Sequence, residues 1–104
     1  MVFHALDLVA SKAMDHEDIV IIHGGASGAD YLAGLWVESR KEKRNVTSIV
    51  YPADWVEHGR AAGPIRNEQM AAAGADVCVA FPGGRGTMDM RQRAKKHDIT
   101  VILI

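Results

Sequence analysis

Val77-Cys78-Val79-Ala80-Phe81-Pro82-Gly83-Gly84-Arg85-Gly86-Thr87-Met88-Asp89 is the stretch that decides the fold. An apolar run passes into a glycine-rich turn and then into a helical pattern, so it reads as strand, turn and helix start. Three glycines in four positions free the backbone for positive φ and for close approach of a ligand. The N–H groups of such a turn, with the first unpaired N–H groups of the helix, make a ready anion site. Thr87 is placed to cap the helix, and Asp89 falls in its first turn, where the dipole favours a carboxylate. Pro82, Gly83, Gly84, Arg85, Gly86 and Thr87 are therefore candidate ligand-binding residues. On this stretch alone, a plain strand-to-helix turn that needed glycine explains the pattern as well.

The same grammar occurs upstream. Ile19-Val20-Ile21-Ile22 are four β-branched residues in succession, which predict a strand buried on both faces as in a parallel sheet. His23-Gly24-Gly25-Ala26-Ser27-Gly28-Ala29-Asp30 follows, where Ser27 and Asp30 resemble a capping box and Leu32, Leu35, Trp36 and Ser39 share a helical face. Ahead of it, Phe3, Leu6, Val9, Ala10, Ala13 and Met14 recur at helical spacing from residue 2 to about 15. Basic Lys41 to Arg44 complements that second helix's C-terminal dipole. Val46 to Tyr51 is the next strand, closed by Pro52, and residues 53–63 form a loop. Pro64 suits a helix start and Gly74 a stop, giving a helix over 64–73. A strand over 77–81, a helix over 87–97 and a strand over 100–104 complete the chain. Strands alternating with helices predict an α/β, doubly wound parallel fold. Ligands bind such sheets beyond the carboxyl ends of the strands, where 23–30, 54–67 and 82–89 all fall.

A chain of 104 residues implies one domain, 1–104, and 48% apolar with 24% charged residues is the profile of a globular chain. A formal net charge of −1 supplies no global field for nucleic acid or an anionic membrane. No apolar run reaches a membrane span, and no signal-type segment opens the chain. The single cysteine, Cys78, excludes an intrachain disulfide and fits a reducing cytoplasm. Mid-strand, it reads as a small buried hydrophobe.

Taken together, His23–Asp30, Tyr51-Pro52-Ala53-Asp54-Trp55, His58–Asn67 and Phe81–Thr87 resemble the YspA-like, YpsA-related branch of the SLOG superfamily. The resemblance implies a Rossmann-like three-layer sandwich with a mainly parallel sheet of about four strands. It also implies binding of a nucleotide or nucleotide-derived phosphate. LOG phosphoribohydrolases, which release a base from a nucleoside 5′-monophosphate, and the DNA-binding DprA proteins belong to the same superfamily. Two departures stand out. Members usually begin with a strand and a glycine turn before their first helix, whereas this chain opens at that helix. LOG enzymes carry two glutamates where Asp89 and Met90 stand here, and an Arg-Lys pair where Arg66-Asn67 stand.

The expected ligand residues are His23, Gly24, Gly25, Ser27, Gly28, Asp30, Asp54, Trp55, Arg66, Asn67 and the 82–87 turn. Arg66 can fork onto a phosphate. Trp55 can stack on a base or pack as a lid, while Asp30 and Asp54 can hold a ribose hydroxyl or cap backbone. If the chain is an enzyme, Asp89 and Arg66 are the catalytic pair for N-glycosidic cleavage of a nucleotide; a ligand-free interaction protein is the further alternative. No spacing supports a metal site, and no cofactor is expected. Arg91, Arg93, Lys95 and Lys96 read as a solvated helix face rather than a nucleic-acid contact. With the usual first strand missing, uncovered apolar surface predicts a homodimer or higher homo-oligomer.

Overall fold

The computed structural model describes residues 1–13 and 17–104, so the end of the predicted 2–15 helix, with Met14, lies outside the described residues. Those residues form two compact units, Met1–Val50 and Tyr51–Ile104. The chain is an α/β protein of helices and short parallel strands. The sequence predicts about four strands; the ladders join them in two pairs, as two small parallel sheets.

In the first unit, helix α1 (Val2–Ala10) precedes strand β1 (Ile19–His23), helix α2 (Ala29–Arg40) and strand β2 (Val46–Val50). Ile19 to His23 pair in parallel register with Val46 to Val50. A parallel pair needs a crossover, and α2 supplies it. Helix α1 is shorter than the spacing predicts. It stops at Ala10, where Ser11 Oγ donates to the Leu8 carbonyl at 2.6 Å. Trp36, 1% exposed, anchors the core with Ala33 and Val37, while Leu32 and Leu35 face outward. The predicted face of α2 was thus displaced by one position, because small Ala33 and Val37 flank the indole at the same helical spacing. Asp7 locks α1 to α2: Trp36 Nε1 donates to its Oδ1 at 2.8 Å, and Arg40 forks onto both carboxylate oxygens. The Arg40 and Trp36 hydrogen bonds hold Asp7 below the ordinary carboxylate range against a smaller effect of burial. Strand β1 is less covered than its run of β-branched residues predicts, with Val20 48% exposed.

In the second unit, α3 (Trp55–His58) and a 3₁₀ turn (Gly59–Ala61) lead into α4 (Ala62–Ala73), then β3 (Val77–Ala80), α5 (Arg85–Lys96) and β4 (Thr100–Leu103). Val77 to Ala80 pair in parallel with Thr100 to Leu103, and the Ile104 N–H donates to the Ala80 carbonyl at 3.0 Å. Helix α4 begins two residues before the predicted Pro64. Proline at the third position costs nothing there, since first-turn N–H groups have no intrahelical acceptor. Gly74 ends the helix at φ +86°, as predicted. Alanines at 62, 71, 80 and 94, with Ile99, are the buried apolar residues of this unit. Helices α4 and α5 pack against each other, and α5 covers both strands.

Candidate functional site

Both units place a glycine-bearing turn between the carboxyl end of a strand and the start of a twelve-residue helix. The two turns are built differently.

In the first, Gly25 and Gly28 have φ of +71° and +79°, a region where a side chain costs roughly 1–2 kcal/mol. Gly28 is the N-cap of α2 and no side chain caps the helix, so the predicted capping box of Ser27 and Asp30 does not form. Asp30 reaches back into the turn instead. Its Oδ2 accepts the N–H groups of Gly24 at 3.2 Å and Ala26 at 3.3 Å. The Gly25 N–H donates to His23 Nδ1 at 3.0 Å. His23, Gly24, Gly25 and Asp30 are thereby brought together, and the chain's own carboxylate sits where an anion would.

No glycine of the second turn has positive φ. Gly83 is required for space: a Cβ there would overlap Thr87 Oγ1 and lie 3.1 Å from Thr87 Cβ. Gly84 is the N-cap of α5, so Thr87 is the helix's third residue and does not cap it. The first turn of α5 holds no acidic residue and no side-chain cap bond, leaving its N–H groups without an intrahelical or side-chain partner. Beside it, at the carboxyl ends of β3 and β4, lies a cavity of about 310 Å³. Phe81, Leu103 and Ile104 give it apolar walls, and Pro82, Gly83, Thr87 and Arg91 complete it. A larger cavity of about 380 Å³ lies at the amino ends of β1 and β2, away from the turn of its unit.

Arg66, Asn67 and Asp89 come together in one chain of hydrogen bonds. Arg66 Nε donates to Asn67 Oδ1 at 2.9 Å, and Arg66 Nη1 to the Tyr51 carbonyl at 3.3 Å. Asn67, 5% exposed, donates to the Gly86 carbonyl and to Asp89 Oδ2, at 3.3 and 3.0 Å. Arg93 bridges Asp89 and Glu68, at 2.9 and 3.1 Å, and His97 Nε2 lies 2.6 Å from the other Glu68 oxygen. Burial pushes Asp89 upward, but the hydrogen bonds from Arg93 and Asn67 outweigh it and hold the carboxyl below its ordinary range. Glu68 is likewise held low, by its bonds to His97 and Arg93.

Asp54 caps α3 by accepting the Glu57 N–H at 3.0 Å, and Trp55, the next residue, is 60% exposed. Burial raises the Cys78 thiol above its ordinary range, which favours the protonated form. Reading Arg91 and Arg93 as part of a solvated face is corrected: Arg93 is tied to two carboxylates and Arg91 lines the cavity. Spacing carried the signal, since Asp89 with Arg93 and Thr87 with Arg91 each stand four apart on a helix. Among the described residues no group of three or more His, Cys, Asp or Glu is placed to hold a metal, and no helix is long and apolar enough to cross a membrane.

Two parallel βαβ units, each with a glycine turn at the carboxyl end of its first strand, define the class. The chain belongs to the YspA, cpYpsA-related SLOG family, whose model matches residues 1–58. That match ends before the second turn. The "Gene 61 protein" of Mycobacterium phage D29 is 49% identical over 87 residues, which is 81% of this chain and 70% of that protein. No solved structure gives a significant match.

Proposed function

We propose that the chain binds a nucleotide or nucleotide-derived phosphate at the turn of residues 82–87. One observation carries this: the α5 N-terminus offers uncapped N–H groups beside a cavity at the carboxyl ends of two parallel strands. A helix start of that kind stabilises phosphate through directed N–H groups and the dipole together. Membership of the SLOG family supports the ligand class. Binding is favoured over N-glycosidic hydrolysis because Asp89 accepts two hydrogen bonds and is held ionised, so it has no proton to give a departing base.

Isothermal titration of the folded protein against nucleoside mono- and diphosphates, ADP-ribose and cyclic nucleotides tests the reading. Saturable heat with a phosphate-bearing ligand is expected, with no free base on chromatography of the mixture. Silence across the panel refutes it. The same proposal includes a Rossmann-like fold with a sheet of about four strands, a single domain over 1–104, a cytoplasmic location and a homo-oligomer. For the assembly, sedimentation equilibrium at micromolar concentration is decisive, and a clean 11.3 kDa monomer speaks against it.

A further inference from the structure

We infer that Arg91 is the guanidinium that meets the ligand's phosphate, and that the ligand of this cavity is a phosphomonoester carrying a compact organic group. The inference rests on the phosphate-binding reading above and adds to it the cation and the size of ligand. Thr87 and Arg91 stand four residues apart on α5, hence on one face, and both line the cavity. Arg91 Nε is covered by protein yet has no hydrogen-bond acceptor. Its Nη1 rests on the thioether of Met88 at 3.2 Å, a weak acceptor for a charged donor. A covered guanidinium nitrogen without an acceptor is uncommon, because it forfeits its water without replacement.

Two other arginines of this unit are occupied differently. Arg66 donates to Asn67 and a backbone carbonyl, and Arg93 to two carboxylates. Turning off Met88 about its terminal torsions, Arg91 can present its planar fork to the turn and bind phosphate oxygens bidentately. The α5 N–H groups would take the remaining oxygens. Near 310 Å³, the cavity is at the small end of small-molecule sites, which suits a mononucleotide or sugar phosphate better than a dinucleotide. Phe81 and Leu103 supply an apolar wall for the organic part.

Titration of AMP and of inorganic phosphate into wild type, Arg91→Gln, Arg91→Lys and Lys95→Gln is the test. Lys95→Gln removes the same charge from the exposed end of the helix and controls for general electrostatics. Arg91→Gln should bind both probes about tenfold or more weakly, the loss expected for a hydrogen bond to a charged group. Arg91→Lys should fall between, and Lys95→Gln should match wild type. If wild type binds and Arg91→Gln stays within about threefold of it, the inference is overturned while the phosphate-binding reading stands. Should wild type bind neither probe nor any nucleotide, both fall. Thermal melting adds a readout free of affinity: unliganded Arg91→Met should melt no lower than wild type but lose the ligand-induced rise. A free Arg91→Met that melts well below wild type would make this side chain structural, and the inference would fail.

Discussion

The two turns join a strand to a twelve-residue helix in the same order, yet they use glycine for opposite ends. At 24–28 Gly25 and Gly28 supply positive φ, and Asp30 accepts the N–H groups of Gly24 and Ala26 while His23 accepts that of Gly25. Around 83–87 no glycine has positive φ; Gly83 supplies room for Thr87, and a Cβ at Gly84 or Gly86 would meet open space. A turn whose amides are bonded from within the chain leaves fewer donors open than one whose amides stand unbonded beside a cavity. Glycine content alone does not separate these cases; the position of the nearest carboxylate does.

Substitution at the two glycines that matter most gives the largest expected effects. Gly25→Ala incurs left-handed strain and sets a Cβ 3.0 Å from Val50 Cγ1, for a loss of about 2 kcal/mol in urea unfolding. Gly83→Ala should cost about 1–3 kcal/mol as an overpacked site. Their rescues differ. Thr87→Ala should recover much of the Gly83→Ala loss, because the collision is with Oγ1, whereas Val50→Ala cannot relieve a backbone strain at Gly25. Equal rescue in both double mutants would erase the distinction between the turns.

Asp30→Ala comes next, at about 1 kcal/mol for two hydrogen bonds at a site water can reach. Under the same contrast, it should give the first turn an affinity for phosphate absent in wild type, read as a rise in melting temperature with added phosphate. A smaller change of opposite sign is expected at Gly86. It is helical, and a Cβ there meets nothing within 4 Å, so Gly86→Ala should stabilise the free protein by about 0.5–1 kcal/mol. If the turn takes a phosphate, the same substitution should weaken binding by crowding the approach.

Strand positions were legible in the sequence to within a residue, since short runs rich in β-branched residues, such as Ile19–Ile22 and Val77–Ala80, favour strand over helix. Helix starts were less so. Thr87 matched a cap by residue type, but Gly84 ends the turn earlier and takes that place. Residue type also misplaces the cap: Ser27 and Asp30 fit the template but do not cap α2, while Asp54 caps α3, with Glu57 at the donor position. The places of both glycine turns, at the carboxyl ends of parallel strands, were legible because they are local features. Its polar partners were not. Asn67 and Asp89 meet only because α4 and α5 pack together, and no spacing along the chain encodes that contact.

Acid titration should show the smallest effect and sharpen the comparison between the units. Asp7 in the first, and Glu68 and Asp89 in the second, are held below the ordinary carboxylate range by their partners. A depressed folded-state pKa contributes stability that is complete above the unfolded value and is lost as pH falls through the folded one. The urea midpoint should therefore be flat from neutrality to about pH 5 and decline below about pH 4, where unfolded carboxylates begin to take up protons first. Glu68→Gln removes the acceptor shared by Arg93 and His97 and should shallow that decline, as should Asp7→Asn in the first unit. Each change is small because these side chains are about a third to a half exposed and screened by water. Raising salt to about 0.5 M should shrink the wild-type decline toward that of the variants. A decline as steep in Glu68→Gln as in wild type would show that this network adds nothing to acid stability, leaving Asp89 ionised by Arg93 and Asn67 alone.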